Sequence, residues 1–94
     1  MTGERAPRPE DWAAYARALG VAMQRRRIDL GLSQEDVAYR AGLSRYTYQK
    51  FEKAESRPGT PANPTLKTVL SIAQVLRCEL GDLLPPLAPD LSAR

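Results

Sequence analysis

Residues 33–52, Ser33-Gln34-Glu35-Asp36-Val37-Ala38-Tyr39-Arg40-Ala41-Gly42-Leu43-Ser44-Arg45-Tyr46-Thr47-Tyr48-Gln49-Lys50-Phe51-Glu52, read as two short helices around a tight turn. Ser33 and Ser44 each stand where an N-cap hydroxyl would accept a bond from a first-turn amide. Gly42 stands just past the first helix, where a left-handed C-terminal cap suits it. Val37, Ala38 and Ala41 fall on one face of the first helix, and Tyr48 and Phe51 on one face of the second. Leu43 lies between them and would plug the angle where the helices meet.

The rest of the second helix has a different character. Arg45, Tyr46, Thr47, Gln49, Lys50 and Lys53 are polar or amphipathic, rich in hydrogen-bonding groups, and include no carboxylate. Such a face can meet phosphates and base edges, and a helix, turn and helix can place its second member in a DNA major groove.

Working outward, a long first helix is expected from near Pro9 or Glu10 to Leu30, because proline suits a helix start. Trp12, Tyr15, Leu19, Ala22 and Met23 recur at spacings of three and four and form its apolar stripe. Gly31 closes it. The predicted fourth helix begins at Thr65, after Pro64, and runs to about Leu76 or Arg77. Leu66, Val69, Leu70, Ala73 and Leu76 form its expected buried face, broadened by Ile72 and Val75. A fifth helix is expected over Glu79 to Leu84, stopped by Pro85-Pro86, since a proline ring cannot continue a helical backbone. The domain is then 10–84, between a flexible arm at 1–9 and a flexible tail at 85–94. Between the third and fourth helices, Lys53 to Pro64 holds three prolines and one glycine and reads as a stiff, extended loop with no helix.

Composition bounds the function. Ninety-four residues suit one small domain, of a size that buries only about 60 to 65% of its unfolded surface. The net charge of +3 favours a polyanionic partner. Its distribution says more: Arg45, Lys50, Lys53 and Arg57 run from the third helix into the loop, while Glu4, Glu10, Asp11, Glu79, Asp82 and Asp90 lie elsewhere. Arg25, Arg26 and Arg27 by themselves read as a solvated helix face. No apolar run is long enough to cross a membrane, and Met1 to Asp11 lacks the hydrophobic block of a secretory signal, so a cytoplasmic protein is expected. With one cysteine, Cys78, and no histidine, neither an internal disulfide nor a metal site is expected, and Cys78 reads as a buried thiol. No nucleophile elbow, phosphate loop or carboxylate pair suits catalysis, so no enzyme activity, cofactor or small-molecule ligand is expected.

The chain resembles the phage repressor and Cro type (XRE-like) of helix-turn-helix domain. The resemblance runs over 19–84 and is carried by Ser33-Gln34, Val37-Ala38, Ala41-Gly42-Leu43-Ser44, Tyr48, Phe51-Glu52, Pro64-Thr65-Leu66 and the apolar run Val69, Leu70, Ile72, Ala73 and Leu76. It implies an all-α, compact five-helix domain with an N-terminally extended first helix, since the stripe starts nearly two turns before the family domain usually does. It also implies that Arg27 pairs with Glu52, a structural role that arginine's fork suits. Two departures stand out: Ala54 occupies a position where glycine is usual, and the connection from Glu52 to Pro64 is about twice the usual length.

The function implied is sequence-specific binding of double-stranded DNA by a transcriptional regulator, with a recognition helix at about 45–53. Arg45, Tyr46, Gln49 and Lys50 would reach base edges. Arginine suits guanine and glutamine suits adenine, while Tyr46 suits a sugar or thymine methyl and Thr47 either role. Ser44, the cap of this helix, is also counted among the residues expected to bind DNA. Gln34, first in the preceding helix, would meet a phosphate and, by resemblance, brace Arg45; Lys53 and Arg57 would bind phosphates. Tyr39 and Arg40 are weaker candidates. Because one helix reads only a few base pairs, a homodimer on an inverted repeat is expected. Its candidate interfaces are the Trp12 and Tyr15 extension and the surface around Leu80, Leu84 and Leu87. The stripe with Trp12 and Tyr15 packs either on the domain's own last helix or on a second subunit. A second function class, a protein-interaction module such as the antitoxin of a toxin-antitoxin pair, implies a protein partner instead.

Overall fold

The computed structural model describes residues 11–92, so the arm at 1–9 lies outside the described residues. Within that range the chain is mostly helical: α1 (Trp12–Asp29), α2 (Gln34–Arg40), α3 (Arg45–Lys53), α4 (Leu66–Val75) and α5 (Leu80–Leu83), with a small antiparallel hairpin, β1 (Glu55–Arg57) and β2 (Thr60–Pro61), between α3 and α4. The helix start expected at Pro9 or Glu10 is corrected to Trp12, because Asp11 is extended and caps α1, its carboxylate accepting from the Ala14 amide at 2.9 Å.

Local chemistry explains the helix boundaries. Ser33 and Ser44 are the N-caps of α2 and α3, accepting from the amides of Asp36 and Thr47, and the Asp36 carboxylate returns a bond to the Ser33 amide. This reciprocal arrangement satisfies two amides that the helix itself leaves unpaired. At the far end of α2, Gly42 adopts φ +76°, its amide bonds to Tyr39 O, and the Leu43 amide reaches back to Ala38 O at 2.8 Å. A side chain is disfavoured at that left-handed position, which is why glycine belongs there. Leu43, delivered by this turn, packs half-buried against the core as expected of a plug.

The core lies where α1, α2, α3 and α4 converge. Met23, Val37, Tyr48, Ile72 and Leu76 have no exposed surface, and Leu19, Ala38, Val69, Ala73 and Leu83 complete the cluster. Burial of each large apolar side chain contributes roughly 1.5 to 3 kcal/mol, so this cluster supplies most of the driving force for folding. The expected face of α4 needs correction at two positions, for Leu66 is 66% exposed and Leu70 is 40% exposed. Apolar residues occupy more than half of the circumference of α4, and α2 and α5 cover only the part centred on Val69, Ile72, Ala73 and Leu76.

Two further expectations are corrected. The segment expected as an extended loop folds back at Pro58-Gly59, where Gly59 takes φ +80° and Arg57 pairs with Thr60. Proline followed by a positive-φ glycine is the chemistry of a type II turn. Pro61, which has no amide to donate, is tolerated because β2 is an edge strand. Arg26, expected to be solvated, instead donates from Nε to Leu76 O at 2.9 Å and from Nη2 to Arg77 O at 2.8 Å. The last carbonyls of α4 have no helical partner, and a cation there also suits the helix dipole. Arg77 holds φ +57° in this turn, a position that ordinarily favours glycine.

The apolar stripe of α1 packs within its own chain. Tyr15 is buried and its hydroxyl donates to Pro85 O at 3.3 Å, just past α5. The Trp12 indole stacks on Tyr15 with ring centroids 5.5 Å apart and donates from Nε1 to Ala62 O at 2.8 Å. Of the two packings left open for this stripe, the intramolecular one is present, which removes Tyr15 from the candidate dimer surfaces. Leu80 and Leu84 are half-buried against the core rather than exposed, because α5 folds across the end of α4.

Candidate nucleic-acid interface

The outward face of α3 is built by what its inward face is committed to. Tyr48 is fully buried, and its hydroxyl donates to Glu52 Oε2 at 2.5 Å. Arg27 holds the same carboxylate through two bonds, Nε to Oε2 at 2.7 Å and Nη2 to Oε1 at 3.1 Å, and its Nη1 donates to Leu32 O at 2.9 Å. Gln34 Nε2 adds a fourth bond, to Glu52 Oε1 at 2.9 Å. The carboxylate side chain is only 3% exposed and that of Arg27 12%. Burial alone would push the Glu52 carboxyl up, but hydrogen bonds from Arg27, Tyr48 and Gln34 outweigh it and hold it below the usual carboxylate range. The Tyr48 phenol is raised, first by burial and then by the Glu52 carboxylate beside it.

This network locks α3 to α1 and to the start of α2, and it turns the one acid of α3 away from solvent. Arg45, Tyr46 and Lys53 are left exposed, with Gln49 and Lys50 partly so. The Lys50 ammonium sits 4.4 Å above the centre of the Tyr46 ring, so the two side chains are presented as a pair. Ser44 Oγ is engaged with the Thr47 amide at 3.0 Å and the Thr47 hydroxyl at 2.9 Å, which orients the first turn of α3. The Gln34 amide nitrogen donates to Glu52, and among the described residues Arg45 makes no hydrogen bond to the Gln34 amide oxygen, although Gln34 and Arg45 border one shallow depression.

Arg57 comes beside α3 by way of the hairpin. Tyr46, Gln49, Lys50, Lys53, Ser56 and Arg57 border a second depression between α3 and β1. Sequence reasoning placed these cations on a helix and a loop, and the structure brings them onto one surface. Among the described residues Arg27 and Glu52 form the ion pair, so Arg45, Lys50, Lys53 and Arg57 carry no carboxylate within bonding distance. Glu55 lies among them at the base of the hairpin, a carboxylate that the reading of α3 alone did not include. Cys78, expected to be buried, is only half-buried, and that burial raises the pKa of its thiol, so it holds little thiolate at neutral pH. The described residues contain no cluster able to hold a metal ion and no helix long and apolar enough to cross a membrane.

A family model described as a helix-turn-helix domain matches residues 18–87. The chain belongs to this family. Among solved structures it is similar to the restriction-modification controller protein C.AhdI from Aeromonas hydrophila, at 29% identity and a TM-score of 0.64, over 73% of this chain and 96% of that one. It is also similar to the hypothetical transcription factor NHTF from Neisseria, at 26% identity and a TM-score of 0.66, over 87% and 85% of the two chains. A third likeness, to FeII HppE, has 24% identity and a TM-score of 0.64 and covers 77% of this chain but 35% of that one. At that identity the likeness concerns the fold alone. No curated protein sequence matches the chain. The family and these neighbours support a DNA-binding transcriptional regulator of the repressor and Cro type.

Proposed function

We propose that the helix-turn-helix protein binds specific DNA sequences as a homodimer, with α3 of each protomer in the major groove of one half of an inverted repeat. The observation that carries this reading is the division of α3: its acid faces inward on Arg27, while Arg45, Tyr46, Gln49, Lys50 and Lys53 face outward without a paired carboxylate. Arg45, in the first turn, reads guanine through its two donors, and Gln49, one turn later, suits adenine. The Lys50 and Tyr46 pair meets a base edge and the adjoining sugar or thymine methyl. Lys53 and Arg57 bind phosphates, which contribute affinity and salt dependence without sequence choice. Ser44, Thr47 and Gln34 support this surface by fixing the start of α3 and its anchor at Glu52. Regulation of transcription in the cytoplasm by such a dimer requires two half-sites about one helical turn apart.

Selection of a random duplex library on the purified protein at near-physiological salt, followed by sequencing, tests the reading. Enrichment of an inverted repeat supports a dimeric reader, and the half-site spacing measures its geometry. Failure of a folded protein to enrich any sequence would overturn it.

A further inference from the structure

The extended α1 and the long connection that folds into the hairpin both depart from the family pattern, and the structure joins them. Trp12 Nε1 donates to Ala62 O at 2.8 Å, one residue beyond β2, while the Ala62 amide donates to Ala54 O at 2.9 Å at the foot of β1. The hairpin is therefore tied at its base to both the C-terminal end of α3 and the N-terminal end of α1. A two-stranded hairpin is marginal by itself in water, so these ties decide its position.

The charges on either side of the hairpin follow the same plan. One depression, between α3 and β1, is bordered by Lys50, Lys53 and Arg57. A second, between α1 and the hairpin, is bordered by Arg17 and again by Lys53. Lys53 is common to both, so Lys50, Lys53 and Arg17 make a strip continuous with the outward face of α3, and Arg57 rises beside it on the hairpin. Glu55 is the single carboxylate bordering both depressions. Arg17, Lys53 and Arg57 are exposed and lack an ion-pair partner among the described residues. Four cations against one acid, on a surface that continues a DNA-facing helix, suit a run of phosphates.

We infer that the start of α1 extends the DNA-contacting surface past the hairpin, with Arg17 gripping a phosphate beyond the groove occupied by α3, beside the contact already proposed for Arg57, and with Trp12 as the positioning residue. The inference rests on the proposed DNA binding by α3. In this arrangement Arg17 and Arg57 act through charge, and Trp12 acts through Ala62 by holding the hairpin at the height where Arg57 meets the backbone.

The test uses the full-length protein and a duplex bearing the enriched inverted repeat, with affinity measured from low to high salt. Each lost phosphate contact lowers the slope of log affinity against log salt by about 0.9 per protomer. Arg17→Gln and Arg57→Gln are expected to lower it by that amount each, with Arg17→Lys restoring the slope and hydroxyl-radical protection shrinking only at its outer edges. Trp12→Phe, which keeps the stacked ring but removes the donor, is expected to lower the slope in the wild type and not further in Arg57→Gln. Unchanged slopes and footprints for both arginine variants, alongside tight binding by the wild type, would overturn the inference while leaving α3 as the reader. Failure of the wild type to bind any duplex would instead overturn the DNA-binding reading itself. Arg17 and Arg57 are exposed, so their variants carry the test even if Trp12→Phe impairs folding.

Discussion

Gly20 of α1 faces the C-terminal end of α3 so closely that a Cβ there would stand 2.6 Å from the carbonyl oxygen of Glu52 and 2.8 Å from that of Phe51. The two helices approach through backbone, and the missing side chain permits it. Gly20→Ala should gain up to about 1 kcal/mol of helix propensity and lose more than that to overpacking, for a net destabilisation of about 1 to 3 kcal/mol. Gly81→Ala is the control, since nothing lies within 4 Å of a Cβ at that position; it should stabilise by roughly 0.5 to 1 kcal/mol. Urea unfolding of the two variants against the wild type measures both, and a Gly20→Ala variant stabilised as much as Gly81→Ala would show that α1 and α3 are not in backbone contact.

The anchor beneath α3 yields a second expectation. Arg27→Ala strands a buried carboxylate that keeps only Tyr48 and Gln34, at a cost of about 3 to 5 kcal/mol. Glu52→Ala strands the guanidinium. The double variant should cost clearly less than the sum of the two, because neither charge is then left without its partner. An additive double-mutant cycle, measured by chemical denaturation, would show that the pair is not coupled.

The same carboxylate sets a pH dependence. Because the Glu52 carboxyl is held below its unfolded value of about 4.5, its contribution is fully present above that pH and is lost as pH falls through the lower, folded value. Asp36 has the same sign, lowered by hydrogen bonds from the Ser33 amide and hydroxyl. Stability should therefore fall below about pH 4.5, and Glu52→Gln should flatten part of that fall, with Asp36 contributing in the same direction. Thermal melts from pH 3 to pH 7 check this, and an unchanged slope in Glu52→Gln would exclude Glu52 as a source.

Much of this was legible in the sequence where the causes are local. Ser33, Ser44 and Gly42 cap and turn within a few residues of themselves, and Tyr48 lies on the only apolar stripe of α3, so periodicity and capping chemistry were enough. Arg27 and Glu52 were found through the family resemblance. What escaped depends on partners distant in the chain. Nothing near Gly20 announces that α3 passes against it, and nothing near Arg26 announces the open carbonyls of Leu76 and Arg77. Leu66 and Leu70 have the same hydrophobicity as their buried neighbours, and only the extent of α2 and α5 decides which side of α4 is covered. The hairpin did have a local signal, Pro58-Gly59 between Arg57 and Thr60, but three prolines in one segment hid it behind the reading of a loop.

On the DNA side, discrimination and affinity should separate. Arg45→Ala is expected to reduce discrimination at one or two base pairs by roughly 1 to 3 kcal/mol, whereas Lys53→Ala should weaken binding to all duplexes alike. Binding to the enriched site, to single-base variants of it and to unrelated DNA gives the comparison. If Arg45→Ala weakens all three equally, Arg45 is a phosphate contact and base reading falls to Gln49 and Lys50.

Glu55 supplies the last expectation, because it is an acid on a surface that otherwise attracts phosphate. Two unit charges a few ångströms apart in water repel by about 1 kcal/mol at most. Glu55→Gln should therefore tighten binding to specific and unrelated DNA by a few-fold at low salt, and the gain should shrink as salt screens the repulsion. Loss of affinity would mean that Glu55 orders Lys53 or Arg17 in the complex. A gain confined to one sequence would make it a reader of bases, which a carboxylate can be when it accepts from a cytosine amine. The uniform, salt-sensitive gain is the result expected of a charge that restrains nonspecific binding and so leaves more of the discrimination to α3.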